Sequence, residues 1–139
     1  MRIMGLDMGS KRIGIALSDE LLITAQGLPT LTRTTVEKDV EQILSLAAEH
    51  GVERIIVGLP KNMNGTLGDS AQEVLRFVDV IRASGSLAVE LWDERLSTVA
   101  VNRTLIEADV SRQRRKKVVD KLAAVYILQS YLDRRNYSS

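Results

Sequence analysis

Apolar positions along this chain recur with two periods, and the change from one to the other marks out its elements. Residues 3–8 and 13–17, I-M-G-L-D-M and I-G-I-A-L, are short apolar runs separated by Gly9, Ser10, Lys11 and Arg12. That composition suits a tight turn between strands, so the start of the chain predicts a β-hairpin. Residues 21–31 continue in short apolar groups broken by Gln26, Gly27 and Pro29; a proline offers no ladder donor, which places this third strand at a sheet edge. The period then lengthens. Val36, Val40, Ile43, Leu44 and Ala47 share one face of a helix over 36–50, with Thr34 and Glu37 at capping-box spacing and Gly51 able to end it. Residues 52–59 contain Ile55, Ile56 and Val57, apolar on both faces, as in a central strand covered by helices on both sides.

A strand, a helix and a buried strand give an α/β architecture. The stretch L-P-K-N-M-N-G-T-L-G-D-S over 59–70 carries Pro60, Gly65 and Gly68, which deny it regular structure. It follows the end of a central strand, where open α/β sheets bind ligands, and Lys61, Asn62 and Asn64 can contact phosphate or sugar oxygens. Its simpler reading is an ordinary connection. Asp69 or Ser70 can cap a second helix with the face Ala71, Val74, Leu75, Val78 and Ile81, stopped by Ser84 and Gly85. A strand over 87–92 ends in D-E-R-L-S-T. A third helix is expected at about 98–108, and a last one from Lys117 or Val118 to about Arg134.

Composition narrows the chemistry. The chain has 139 residues, no cysteine, one histidine and a formal net charge of +1. Its length is that of one domain with a real core, and the lack of repeats or linkers agrees. Without cysteine there is neither a disulfide framework nor a thiolate zinc site, and His50 reads as a solvated helix end, so any metal would be held by oxygen, which favours Mg²⁺ or Mn²⁺. No apolar run approaches the roughly 18 to 20 residues of a membrane span, and the start lacks a signal-peptide profile; a cytoplasmic protein is expected. Charge is unevenly spread: Arg112, Arg114, Arg115, Lys116 and Lys117 put five cations in six positions. A charge run is usually a solvated face, but this one is the best candidate for contacts to a phosphate backbone.

Candidate chemistry centres on Asp7, an acid inside an apolar strand, where an uncompensated carboxylate is costly. A salt bridge to Lys11 or Arg12, nearby backbone N–H groups, or a bound cation could compensate it. For an isolated aspartate the salt bridge is the simplest. Two other acids favour a cation. Asp93 and Glu94 stand at a strand terminus, and because successive strand residues point to opposite faces only one should face Asp7. Asp120 lies in the first turn of the last helix and shares a face with Ala123, Ala124 and Ile127, where the small alanines would let the helix sit close to the sheet. The bland alternatives are a solvated strand end and a residue that complements the helix dipole.

The opening M-R-I-M-G-L-D-M-G-S-K-R-I-G-I-A-L-S-D, the loop V-G-L-P-K-N-M-N-G-T-L-G, the D-E-R-L-S-T segment and D-K-L-A-A-V-Y-I-L-Q-S-Y-L resemble the YqgF family, also called RuvX. The resemblance covers essentially the whole chain. It implies a ribonuclease H-like fold: a mixed five-stranded sheet, with an N-terminal antiparallel hairpin, a third strand and then parallel strands, flanked by helices. It also implies kinship with the RuvC Holliday-junction resolvases, and a nuclease acting on the precursor of small-subunit ribosomal RNA. Metal-binding carboxylate roles pass to Asp7, Glu94 and Asp120, with two Mg²⁺ or Mn²⁺ ions. RuvC relatives have a further acid one turn before the helix acid, where this chain has Lys117. Nucleic-acid contacts are expected from Lys11, Arg12, Lys61, Asn62, Asn64, Arg95, Arg112, Arg114, Arg115, Lys116 and Lys117. The partners implied are structured RNA or DNA and pre-ribosomal particles, with the chain a monomer or homodimer. Other readings are a RuvC-like DNA nuclease and a non-catalytic nucleic-acid-binding assembly factor. A D-x-G turn also occurs in actin-like ATPases and sugar kinases, which need two such domains around a cleft.

Overall fold

The opening residues form the hairpin that their pattern predicts. In this computed structural model the described residues are 1–62, 64–85, 87–96 and 112–137; for 112–121 the description covers the backbone alone. β1 (Arg2–Met8) and β2 (Arg12–Ser18) pair antiparallel from Met4 opposite Leu17 to Met8 opposite Ile13. The Gly9 amide closes their turn by donating to the Arg12 carbonyl at 2.9 Å.

β3 (Ala25–Thr32) is the edge strand outside β2 and starts later than the apolar pattern suggests. The reason is a local turn. The Asp19 carboxylate accepts the amides of Ile23 and Thr24 at 2.7 and 2.9 Å, and Leu22 adopts a left-handed conformation, so 21–24 cannot join the ladder. Pro29 marks a bulge: Leu28 pairs with Ile15 and Leu31 with Ile13, leaving Pro29 and Thr30 opposite Gly14 alone.

α1 (Val36–Glu49) buries Val40, Ile43 and Ala47 and gives way at Gly51, whose φ is +68°. Its cap is Thr35, whose hydroxyl accepts the Lys38 amide at 3.3 Å, and not Thr34. Thr34 is drawn instead to the buried Asp39 carboxylate, which accepts both its amide, at 3.0 and 3.1 Å, and its hydroxyl, at 2.9 Å. The capping-box pairing with Glu37 therefore does not form. β4 (Val52–Leu59) runs parallel to β1. α2 (Asp69–Ala83) is capped by the extended Gly68 without a side-chain hydrogen bond, and Asp69 falls inside its first turn, where its charge complements the helix dipole. Phe77, not Leu75, completes its buried face. β5 (Ala88–Asp93) pairs parallel to β4 and leads into a 3₁₀ turn (Glu94–Leu96).

The sheet order is β3-β2-β1-β4-β5. Strand alternation sends Met4, Leu6, Ile13, Ile15, Ile55 and Val57 into a core with α1 and α2, and Ile3, Ala16 and Ile56 to the opposite face. There they meet Ala123, Ala124, Ile127, Leu128 and Leu132 of α3 (Arg112–Tyr137). This helix begins earlier than its apolar face indicates, so the basic tract from Arg112 to Lys117 lies on helical backbone and not in a connection before it. The helix expected at 98–108 lies outside the described residues.

Two glycines set how closely α3 approaches. A Cβ on Gly5 would stand 2.7 Å from Leu128 Cβ, and one on Gly58 2.5 Å from Ile127 Cδ1. The end of α3 is tied to the β2–β3 turn, where Asn136 donates to the Leu22 carbonyl at 3.0 Å and Gln129 to that of Ile23 at 2.8 Å. α3 thus runs antiparallel to β1, and its first turns head for the end of β1 that carries Asp7. Among the described residues no helix is long and apolar enough to cross a membrane.

Candidate functional site

Asp7 is only 5% exposed and lies near the C-terminal end of β1, on the Ile3 and Gly5 side that faces α3 by strand alternation. Leu6 pairs with Val57, so the next position on β4 beside Asp7 is Gly58. Gly58 is in turn opposite Trp92 of β5. Trp92 faces α3 too: its indole N–H donates to Ser130 Oγ at 3.2 Å and its ring meets Tyr131 edge-on at 5.4 Å. Alternation turns Asp93, opposite Leu59, to the other face, and Glu94 follows it as the first residue of the 3₁₀ turn. Glu94 Cγ lies 3.2 Å from where a Cβ on Gly58 would be, and its Oε1 is buried. Of the two acids in D-E-R, Glu94 shares the face of Asp7. The absent side chain at Gly58 leaves room for it.

Asp120 is one helical turn before Ala124, whose carbonyl oxygen would be 3.3 Å from a Cβ on Gly5. Gly5 and Asp7 are on the same side of β1, and α3 runs antiparallel to that strand, so the backbone of Asp120 is carried toward Asp7. Its side chain lies outside the described residues, as do those of Arg112, Arg114, Arg115, Lys116 and Lys117. Among the described residues no three acids or histidines are grouped to hold a metal ion.

Asp93 has a different role from its neighbour. Its carboxylate accepts the Arg95 guanidinium, Nε at 3.2 and 3.1 Å and Nη2 at 2.8 Å, and lies 3.7 Å from Lys61 Nζ. Hydrogen bonds from that guanidinium, aided by the Arg95 amide and the Lys61 charge, hold the Asp93 carboxyl below its ordinary pKa, and the same contact raises that of Arg95. Lys61 and Arg95, expected at nucleic acid, thus both meet a carboxylate. Asn62 and Asn64 are engaged within their own loop: Asn62 Nδ2 donates to Thr66 Oγ1 at 2.9 Å, and that hydroxyl donates to Asn64 Oδ1 at 2.7 Å. Lys11 is exposed and Arg12 half-buried at the hairpin turn after Asp7.

Asp93 was read only as one of an acidic pair, not as a partner of Lys61 and Arg95, and one other residue was missed altogether. The signal for Asp93 was its position two residues before Arg95. The other is Arg33, which donates to the Gly9 carbonyl at 2.8 Å, pairs with Glu73 of α2 at 3.6 Å and gives its amide to the Lys11 carbonyl at 2.9 Å, steadying the hairpin turn. Nothing in the local pattern marked it out.

The architecture is that of RuvC. Thermus thermophilus RuvC bound to a Holliday junction substrate superposes with a TM-score of 0.65 at 12% identity, covering 99% of this chain and 96% of that one. The fowlpox virus Holliday junction resolvase gives 0.50 at 14% identity, with 96% and 99% covered. These define a ribonuclease H-like fold. The model of the family described as RuvX: Holliday junction resolvase matches residues 1–134, and the chain belongs to that family. A relative from Desulforamulus reducens is 56% identical over 133 residues, 96% of this chain and 97% of that protein. One from Clostridioides difficile is 56% identical over 132 residues, 95% and 94%. Both bear the name "Putative pre-16S rRNA nuclease".

Proposed function

We propose that this chain is a metal-dependent nuclease that hydrolyses phosphodiester bonds in the precursor of 16S ribosomal RNA. The observation that carries the reading is the placement of Asp7 and Glu94 on one face of the sheet, one strand apart across Gly58, with α3 bringing Asp120 to the same end. The relatives' shared name supplies the substrate class.

The donors fit a hard divalent cation. The buried carboxylate of Asp7 and the buried Oε1 of Glu94, from separate elements, are hard oxygen donors suited to Mg²⁺ or Mn²⁺, and the chain has no cysteine to favour a softer metal. Asp7, Glu94 and Asp120 would hold it. When bound, a pair of such ions activates water and offsets charge on the leaving oxygen. The chain's own part is preorganisation: the sheet fixes Asp7, the 3₁₀ turn fixes Glu94, and the close approach of α3 at Gly5 fixes the helix that bears Asp120. Lys11, Arg12, Lys61, Arg95 and the basic tract at the start of α3 bind backbone phosphates and orient the strand to be cut.

A cleavage panel tests this, with precursor 16S rRNA, single-stranded DNA and a four-way DNA junction supplied with Mg²⁺ or Mn²⁺. The expected result is cutting of the RNA precursor, abolished by chelation. Cutting of the junction alone would make the chain a RuvC-like DNA nuclease, and binding without cutting under either metal would make it an assembly factor.

A further inference from the structure

The Asp93 carboxylate joins two parts of the site that its neighbours in sequence do not. Its Oδ1 accepts the backbone N–H of Arg95 at 2.9 Å, as an aspartate does when it caps the start of a helical turn, and this turn carries Glu94. Its side chain is 17% exposed and also binds the Arg95 guanidinium and the Lys61 ammonium. Lys61 opens the β4–α2 loop. Arg95 reaches the tip of that loop, where a Cβ on Gly65 would be 3.5 Å from Nη1.

The loop is closed on itself. Asn62 donates its amide to the Thr66 carbonyl at 3.0 Å, Gly65 donates to the Asn62 carbonyl at 2.8 Å, and the Thr66 amide donates to Asn64 Oδ1 at 3.1 Å. Gly65 has φ +85°, which a side chain would strain. A unit so bonded is held in place by fixing two of its points, and the cations bound to Asp93 lie at its start and its tip. An isolated exposed ion pair contributes little; a multiply hydrogen-bonded arginine sharing a mostly covered carboxylate with a lysine is a stronger tie.

We propose that Asp93 is a positioning residue: by capping the turn of Glu94 and holding Lys61 and Arg95 on one carboxylate, it clamps the β4–α2 loop against the Glu94 side of the site. Its consequence for cleavage rests on the nuclease reading above; the clamp itself does not. Nucleic acid then meets a loop and two cations already set beside Glu94, without an ordering cost at binding.

Two substitutions separate the two jobs. Asp93→Asn keeps an acceptor for the Arg95 amide but removes the charge that holds both cations, whereas Asp93→Ala removes both functions. Amide hydrogen exchange on the full metal-free chain at neutral pH reads the clamp. In Asp93→Asn the amides of Asn62, Gly65 and Thr66 should exchange about tenfold faster with that of Arg95 little changed, and in Asp93→Ala all four should speed up. Unchanged protection of Ile55, Ile56 and Val57 certifies the fold. In cleavage assays Asp93→Asn should raise KM at nearly constant kcat, and Asp93→Ala should also lower kcat, because Glu94 loses its fixed turn. Native loop protection in Asp93→Asn, or loosened loop amides with native KM, would overturn the proposal. Should the unsubstituted chain cut nothing, the nuclease reading fails while the exchange result still decides the clamp; should Asp93→Ala not fold, Asp93→Asn decides alone.

Discussion

Gly5 and Gly58 are gaps left for neighbouring side chains, and they have different neighbours. At Gly5 the crowding atoms are Leu128 Cβ at 2.7 Å and the Ala124 carbonyl at 3.3 Å, neither of which can swing aside. Gly5→Ala must push α3 off the sheet, and a loss of about 1–3 kcal/mol is expected from overpacking of this kind. At Gly58 the closest atom is the tip of Ile127, at 2.5 Å, and the next is Glu94 Cγ at 3.2 Å. Rotation of Ile127 relieves part of the first contact, so Gly58→Ala should cost less stability than Gly5→Ala but displace Glu94 and depress turnover more. Urea midpoints and cleavage rates of the two variants check that inversion. Equal proportional losses of stability and activity in both would mean that Gly58 makes no special room for the acid.

At the scale of elements, the hairpin, both parallel strands and the first two helices were legible because their apolar periods are unbroken. Local hydrogen bonds shifted their ends. Thr34 answers to Asp39 and leaves the cap to Thr35, while Asp19 ties up the amides of Ile23 and Thr24 and delays β3. The start of α3 was misread for another reason: five cations in six positions conceal helical backbone from a test based on apolar spacing. In the site, alternation along β5 predicted that only one of Asp93 and Glu94 would face Asp7, but which one depends on register with β4, a non-local property. The Asp93–Arg95 pair had a local signal in its two-residue spacing, but Lys61 joins it from the end of another strand with a whole helix between, which no local pattern shows. The basic tract lies on helical backbone, and Arg114→Ala with Arg115→Ala should weaken RNA binding and lower the slope of log affinity against log salt by about 1.4 for a single strand, if each contacts one phosphate. An unchanged slope would return the tract to solvated surface.

Across the whole molecule, acids near the start, middle and end of the sequence stand on or next to the parallel strands of a mixed sheet and on one tightly packed helix. β1 supplies Asp7, β5 ends at the turn of Glu94, and α3 crosses Gly5 on a course that takes Asp120 to the same end. Lys11 and Arg12 follow Asp7 at the hairpin turn, and Lys61 and Arg95 share the carboxylate of Asp93 next to Glu94, a local grouping of cations that a net charge of +1 does not reveal. The most direct test of this convergence is the single-turnover cleavage rate of Asp7→Asn on precursor 16S rRNA with saturating Mg²⁺ or Mn²⁺, measured beside its urea midpoint. The expected result is a folded variant that still binds RNA and cuts at least about a hundredfold more slowly. A folded Asp7→Asn protein that cuts at the native rate would contradict it.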